Sequence, residues 1–122
     1  MANEKNENEE RFGNRMMLTG VVGNKRLTKT NTGKSVLNVY LRTKTSRGSY
    51  FGIGCEFWNK DAIAVNDQLN QMLPEVEDGE RIAENDSVIV TVQGELKENS
   101  WESKGEKKSR FLIAGESLSI EE

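Results

Sequence analysis

The chain is organised around the segment YFGIGCEFW, residues 50–58. Its side chains alternate with a period of two, as in a β-strand with one buried face. The inward set is Phe51, Ile53, Cys55 and Phe57. The outward set is Tyr50, Gly52, Gly54, Glu56 and Trp58. Rings separated by bare positions can stack on planar groups such as nucleobases. A second interpretation stays open, in which the glycines mark a bulge or barrel corner and Trp58 packs under a loop.

The preceding strand, predicted over Ser35–Lys44, carries a related pattern. Leu37, Val39 and Leu41 alternate inward, and Val36, Asn38, Tyr40 and Arg42 face outward, followed by Lys44. An outward tyrosine with cations two and four residues later combines a stacking surface with charge that neutralises phosphates. An ordinary half-exposed strand with a surface tyrosine is the alternative.

Three further strands and one helix complete the pattern. The first strand, Arg15–Gly23 with an extension to Lys29, is apolar on both faces, so one face is expected to meet a partner subunit. The fourth and fifth strands are predicted over Ser87–Lys97 and Ser109–Ile120, with a flexible cationic hairpin tip between them at 103–108.

The only predicted helix follows the third strand. Asn59 is its expected cap, Asp61 lies in its first turn, and Pro74 is expected to end it. Spacings of three and four give it one apolar stripe, formed by Ala62, Val65, Leu69 and Met72.

Composition limits the function. A chain of 122 residues suggests one domain, and no window is apolar enough to span a membrane. The single cysteine, Cys55, excludes an intramolecular disulfide and fits a reducing cytosol. Without histidine, zinc sites and histidine-based acid–base chemistry are not expected, and we predict no cofactor and no metal.

Residues 1–13 are predicted to be a disordered acidic arm. Their composition favours a solubilising tail over an acidic segment that competes for a basic groove.

The net charge of −3 conceals a strong partition along the chain. Residues 11–73 hold ten Lys and Arg against three Asp and Glu, whereas the loop at 74–86 holds six acidic residues against Arg81. A net-acidic protein can therefore present a basic face, and the acidic loop is expected to stay away from any polyanion.

The element order β-β-β-α-β-β with glycine bends predicts an all-β fold over residues 14–120. It is that of a five-stranded Greek-key OB-fold barrel with one α-helix between strands 3 and 4, a fold that binds oligonucleotides across strands 2 and 3. Four segments in this order resemble the single-stranded DNA-binding proteins of bacteria and their phages. They are the opening strand at 14–23 ending in Gly-x-x-Gly, the second strand at 36–43, the aromatic-x-Lys step at 57–60, and the Gly-x-Leu followed by Trp at 94–101.

The resemblance implies roles for individual residues and for the assembly. Trp58 and Trp101 would stack on bases, Lys60 would meet a phosphate, and Arg15 occupies the basic position that opens strand one. It also implies that subunits pair and form a homotetramer, a dimer of dimers. Face parity adds Tyr40 and Tyr50 as stacking residues. The remaining cations expected to neutralise phosphates are Lys34, Arg42, Lys44 and Lys97.

The chain also departs from the family. Bacterial members end in a long flexible tail with an acidic tip that recruits other proteins, whereas this sequence ends within a few residues of the last strand. A phage-type protein of the host cytoplasm is therefore expected, with phage or host recombination and replication proteins as further partners. The loop at 43–49 lacks the family's Trp, and Thr91 replaces an aromatic, so weaker or shorter-site binding is expected.

Sequence-tolerant binding and protection of single-stranded DNA in replication and recombination is thus the predicted function. The alternative is an OB-fold adaptor of a phage replication complex, which would use the same aromatic residues to bind protein. An enzyme such as a nuclease is not expected, because only Glu56 offers a carboxylate on the proposed groove and metal-dependent cleavage needs a cluster.

Overall fold

The chain forms a closed five-stranded barrel with one helix in a computed structural model, which describes residues 13–121. The elements are β1 Met16–Lys29, β2 Ser35–Lys44, β3 Tyr50–Trp58, α1 Asn59–Asn70, β4 Ile89–Ser103 and β5 Glu106–Ile120, with a 3-10 turn at Glu84–Asp86. The strand order is β1-β2-β3-β5-β4, and β4 pairs back with β1. Among the strand pairs of residues 13–121, the β3–β5 pair is the parallel one and the others are antiparallel. The predicted all-β Greek-key OB-fold barrel, with its helix between strands 3 and 4, is confirmed. The predicted acidic arm lies outside the described residues, apart from Gly13.

β1 closes the barrel because it pairs with two neighbours in turn. Its first half runs against β4, from Met16 opposite Gly94 to Val21 opposite Ile89. Its second half runs against β2, from Val21 to Lys29, with a bulge between Val22 and Asn24. A bulge increases the local twist and bends the strand, so one strand can serve both sides of a small barrel.

The core consists of the inward side chains of all five strands, closed at one end by α1. The fully buried apolar side chains of the strands are Val22, Leu37, Val39, Leu41, Cys55, Phe57, Val90, Val92 and Ile113. The helix adds Ala62, Val65 and Leu69, three of the four residues predicted for its apolar stripe.

Two residues that were predicted to face the core, Phe51 and Met72, lie in solvent instead. Phe51 is exposed because it lies on a strand segment that extends past the barrel, and Phe111 of β5 is exposed for the same reason. β3 pairs with β5 only from Gly54 to Glu56, so none of the described strands pairs with β3 beside Phe51 on that side. Met72 is exposed because α1 ends at Asn70 rather than continuing to Pro74.

The start of α1 also differs from the prediction. Trp58, in extended conformation, occupies the N-cap position, and its own side chain makes no capping hydrogen bond. Asn59 instead adopts a left-handed backbone with φ of 55°, which asparagine tolerates better than most residues. Asp61 lies in the first turn as predicted.

Candidate nucleic-acid interface

One outer wall of the barrel, formed by β2, β3, β5 and β4, carries most of the residues singled out above. Residues that face each other across a strand pair lie on the same side of the sheet. The central row of this wall is therefore Tyr40, Gly54, Leu112 and Lys97. The next row is Asn38, Glu56, Ala114 and Glu95.

Tyr40 lies against the sheet in the middle of this wall. A Cβ atom at Gly52 would overlap the Tyr40 ring, and one at Gly23 would come within 3.1 Å of its Cδ2 atom. The two missing side chains leave the space in which the ring lies down over β3. Since the side chain remains substantially exposed, one face of the ring is presented to solvent. The absence of a side chain at Gly52 therefore allows the Tyr40 ring to lie flat against the sheet.

A groove of about 340 Å³ opens beside Tyr40. Its lining includes Asn38, Tyr40, Gly54, Glu56, Arg110 and Leu112. At Gly54 the floor is bare, because a Cβ atom there would meet nothing within 4 Å. A volume in this range suits a compact ligand group, since binding sites for small molecules span about 300–1,000 Å³.

The hairpin formed by β4 and β5 extends this wall beyond the barrel. Both central residues of its turn, Lys104 and Gly105, have positive φ, of 52° and 79°, as a two-residue type I′ turn requires. The tip is thus narrower than the flexible segment predicted at 103–108, and β5 begins at Glu106. This register places Trp101 opposite Lys108.

Arg110 and Lys108 are functional candidates that the sequence analysis missed. The Arg110 guanidinium carbon lies 5.7 Å from the centroid of the Trp101 ring, within the range of a cation–π interaction. Arg110 also lines the groove, so it connects Trp101 with the surroundings of Tyr40. Reading Gly105 as the second residue of a tight turn would have placed both cations on the face of Trp101.

Lys97 contributes to the same wall through Glu56. Its Nζ atom lies 3.7 Å from Glu56 Oε1, across the intervening strand β5. Glu56 is the only acidic residue among those that line the groove.

The other predicted residues lie at the two ends of the wall or away from it. Lys44 and Tyr50 are at one end, where the lysine Nζ lies 5.8 Å from the centroid of the tyrosine ring. Arg42 lines a separate cavity of about 310 Å³ with them. Its Nη2 donates a hydrogen bond to the carbonyl oxygen of Ile82 at 3.1 Å, which ties down part of its guanidinium group.

At the opposite end, Trp58 lies across from Val36, about 13 Å along β3 from Gly54. Two exposed lysines are close to this pair in the sequence. Lys60, in the first turn of α1, follows Trp58 by two residues, and Lys34, in the β1–β2 turn, precedes Val36 by two. Neither Trp58 nor either lysine lines the central groove. Arg15 is further removed, because it lines a small cavity with Gln93 and Gly94 at the seam of β1 and β4.

The acidic loop is held beside β1 rather than over the groove. The backbone N–H of Gly79 donates to the carbonyl oxygen of Lys25 at 2.7 Å, and that of Ile82 donates to Gly23 at 2.8 Å. The buried Lys25 side chain donates to Asn66 Oδ1 at 2.8 Å and lies 3.6 Å from Asp78 Oδ1. No residue of the 74–86 loop lines the groove.

Between Gly13 and Glu121, no three side chains of His, Cys, Asp or Glu come together in a way that could hold a metal ion. Within the same residues, no helix has the length and apolar character needed to cross a membrane. Comparison of the chain with protein-family models and with curated proteins found no match.

Proposed function

We propose that this protein binds single-stranded DNA with little sequence preference, in the manner of the single-stranded DNA-binding proteins that its sequence resembles. One observation carries the proposal. Two partly exposed rings, Tyr40 and Trp101, share one outer wall with the cations Lys97 and Arg110, beside an open groove. Rings on a cationic surface are the features by which OB-folds hold unpaired strands.

Bases stack on the rings while the cations neutralise the phosphates between them. Each stacked base contributes about 1–3 kcal/mol, measured as the loss on alanine substitution. Trp58 and Tyr50 provide outlying platforms at the two ends of β3. Lys44 lies beside the Tyr50 ring, and Lys60 follows Trp58 by two residues in the first turn of α1. An occluded site of about 4–16 nucleotides per barrel follows from the same class of proteins. Sequence preference is slight because every base has a face that stacks.

Titration with oligo-dT tests the proposal directly. Binding is expected to quench tryptophan fluorescence at low salt and to weaken at high salt. Trp101→Ala and Tyr40→Ala are each expected to lower the affinity about tenfold. Phe51→Ala is the matched control, because Phe51 is an exposed aromatic on the opposite face of β3. A wild-type protein that binds no oligo-dT at low salt would overturn the proposal and favour the alternative, a protein-binding adaptor.

The proposed assembly is a homo-oligomer, a dimer of dimers, that uses the outer face of β1. Met17 is 68% exposed and Ile89 is 49% exposed on this face, and Val21 lies directly opposite Ile89. Apolar side chains that face outward from a barrel suit contact with another subunit. Light scattering of Met17→Glu is expected to show a smaller mass than that of the wild type.

In this proposal the protein works in the cytoplasm, that of the host if it is phage-encoded, and takes part in replication or recombination.

A further inference from the structure

Glu56 occupies an unusual position for a carboxylate. It lies on the outer wall between Asn38 and Ala114, and its side chain is only 17% exposed. Its Oε1 atom is buried and has no hydrogen-bond partner among the residues that the structure describes. Lys97 Nζ is 3.7 Å away, an ion-pair separation that is too long for a hydrogen bond.

The buried Oε1 atom of Glu56 lacks a donor among the residues that the structure describes. Removing it from water costs free energy unless hydrogen bonds replace those that water made. An ionised carboxylate can only accept hydrogen bonds, so a group in the groove that bonds to Glu56 must present an N–H or an O–H. The phosphates of a bound strand are acceptors and carry the same charge as Glu56, so they stay at the cationic rim and the bases turn toward the floor.

Nucleobases differ in what they can offer such an acceptor. In a single strand the Watson–Crick edges are free to be read. Cytosine, adenine and guanine carry an exocyclic amino group on that edge, and a carboxylate accepts well from the cytosine amino group. Thymine carries only its ring N–H there, flanked by two carbonyl oxygens that Glu56 would repel.

We propose that Glu56 reads a base at the floor of the groove and favours bases with an exocyclic amino group, cytosine among them, over thymine. The inference rests on the proposed single-strand binding and adds to it a preference at one position. Bases of any kind stack on Tyr40 and Trp101, while Glu56 selects the base beside the bare backbone of Gly54 by its exocyclic amino group. Asn38, directly across from Glu56, lines the same space and offers an amide that can bond a second atom of that base.

The decisive comparison uses oligo-dC, oligo-dT and oligo-dU of equal length at the same salt concentration. Cytosine carries an amino group at position 4 and an unprotonated N3, where uracil carries a carbonyl and an N3–H. The dC/dU ratio therefore compares these two Watson–Crick edges without any change to the protein. Oligo-dC is expected to bind the wild type about fivefold or more tightly than either of the others.

Two protein variants locate the preference. Glu56→Gln has the same shape but presents a donor as well as an acceptor, so the dC/dU affinity ratio is expected to fall to about one. Glu95→Gln is the matched control, because it removes the same charge from the same outer row while Glu95 does not line the groove. Glu95→Gln is expected to bind all three oligomers more tightly and to keep the wild-type ratio. Glu56→Gln is expected to gain affinity for oligo-dT and oligo-dU but not for oligo-dC, because it loses the carboxylate acceptor for the cytosine amino group.

The outcomes separate this inference from the proposed function. Wild-type binding with equal affinity for dC and dU overturns the inference alone. A preference that survives in Glu56→Gln, with its thermal melting unchanged, also overturns it. A wild type that binds none of the three oligomers overturns the proposed function, and the inference with it.

Discussion

A Cβ atom at Gly52 would overlap the ring of Tyr40, so the position of a proposed stacking platform depends on an absent side chain. Gly52→Ala is expected to push the ring off the sheet. The affinity for oligo-dT then falls by up to the contribution of one stacked base, about 1–3 kcal/mol. The stability falls little, because the displaced group is the outer end of an exposed side chain.

A double-mutant cycle checks this reasoning. In a Tyr40→Ala background, Gly52→Ala has no ring to displace, so it is expected to leave the oligo-dT affinity unchanged. Gly54→Ala controls for adding a methyl group to the same strand, because a Cβ atom there meets nothing within 4 Å and leaves the ring in place. Equal losses of affinity from Gly52→Ala in both backgrounds would show that the glycine acts by another route.

Cys55 gives the protein a predictable weakness at alkaline pH. Burial raises the pKa of its thiol from 9.0 to about 12. Between these values the unfolded chain releases the proton while the folded chain keeps it. The free energy of unfolding therefore falls as the pH rises above about 9, by at most about 1.4 kcal/mol per pH unit from this group. The stabilising contribution is complete below pH 9.

Urea denaturation of the wild type and of Cys55→Ala at pH 8, 9 and 10 measures this contribution. Cys55→Ala is expected to be less stable at pH 8, because it leaves a small cavity, but to lose less stability as the pH rises. Taking the difference between the two proteins cancels the titration of lysines and tyrosines. Parallel stability curves for the two proteins would contradict the prediction.

At the scale of elements, the β4–β5 hairpin arm is set by its turn. Type I′ turns place both central residues at positive φ, and Asn-Gly is the preferred pair. Lys104→Asn is therefore expected to strengthen the arm, and Gly105→Ala to weaken it by about 1 kcal/mol. Hydrogen exchange of the amides at 98–103 and 106–110 measures this, with slower exchange expected in Lys104→Asn. Gly33→Ala, in the β1–β2 turn, is the control, since it alters another left-handed glycine and should leave exchange in the arm unchanged.

The arm also shows where the sequence is informative about the fold. β2 and β3 were predicted with their observed bounds, because apolar residues recur at every second position of each sequence. The observed burial follows that alternation from Leu37 to Leu41 and from Cys55 to Trp58, whereas Val36 is buried and Phe51 is exposed. β4 and β5 are longer than predicted, because residues 98–103 and 106–111 pair with each other outside the barrel and bury no apolar face. A strand without a buried face has no alternation to detect.

In the candidate site, too, the features that depend on a single strand were predicted, and those that depend on pairing between distant strands were not. Face parity within one strand predicted the outward directions of Tyr40 and Glu56, and the register confirms that they share one wall. The partial burial of Glu56 and its approach to Lys97 depend on the parallel pairing of β3 with β5. That pairing joins segments more than 50 residues apart, and no local pattern specifies it. The role of Arg110 was missed for a related reason, since it depends on the exact length of the hairpin turn.

At the scale of the whole molecule, the distribution of charge matters more than its sum. The net charge is −3, yet the acidic loop is tied along β1 through Lys25, away from the groove. The wall formed by β3, β5 and β4 carries Glu56 and Glu95 as well as Lys97, and its other cations, Lys108 and Arg110, lie on the β4–β5 arm. A polyanion can therefore approach the cations of the arm although the protein as a whole repels it.

Salt dependence measures how many of these cations contact phosphates. For single strands, each contact adds about 0.7 to the slope of log affinity against log salt concentration. Arg110→Gln and Lys108→Gln are each expected to reduce that slope by about this amount. Arg81→Gln removes the same charge from the exposed acidic loop, so it controls for a change in net charge. If all three variants shifted the affinity equally at low salt and left the slope unchanged, the strand would be responding to the overall field of the protein, and the β4–β5 arm would not be its contact surface.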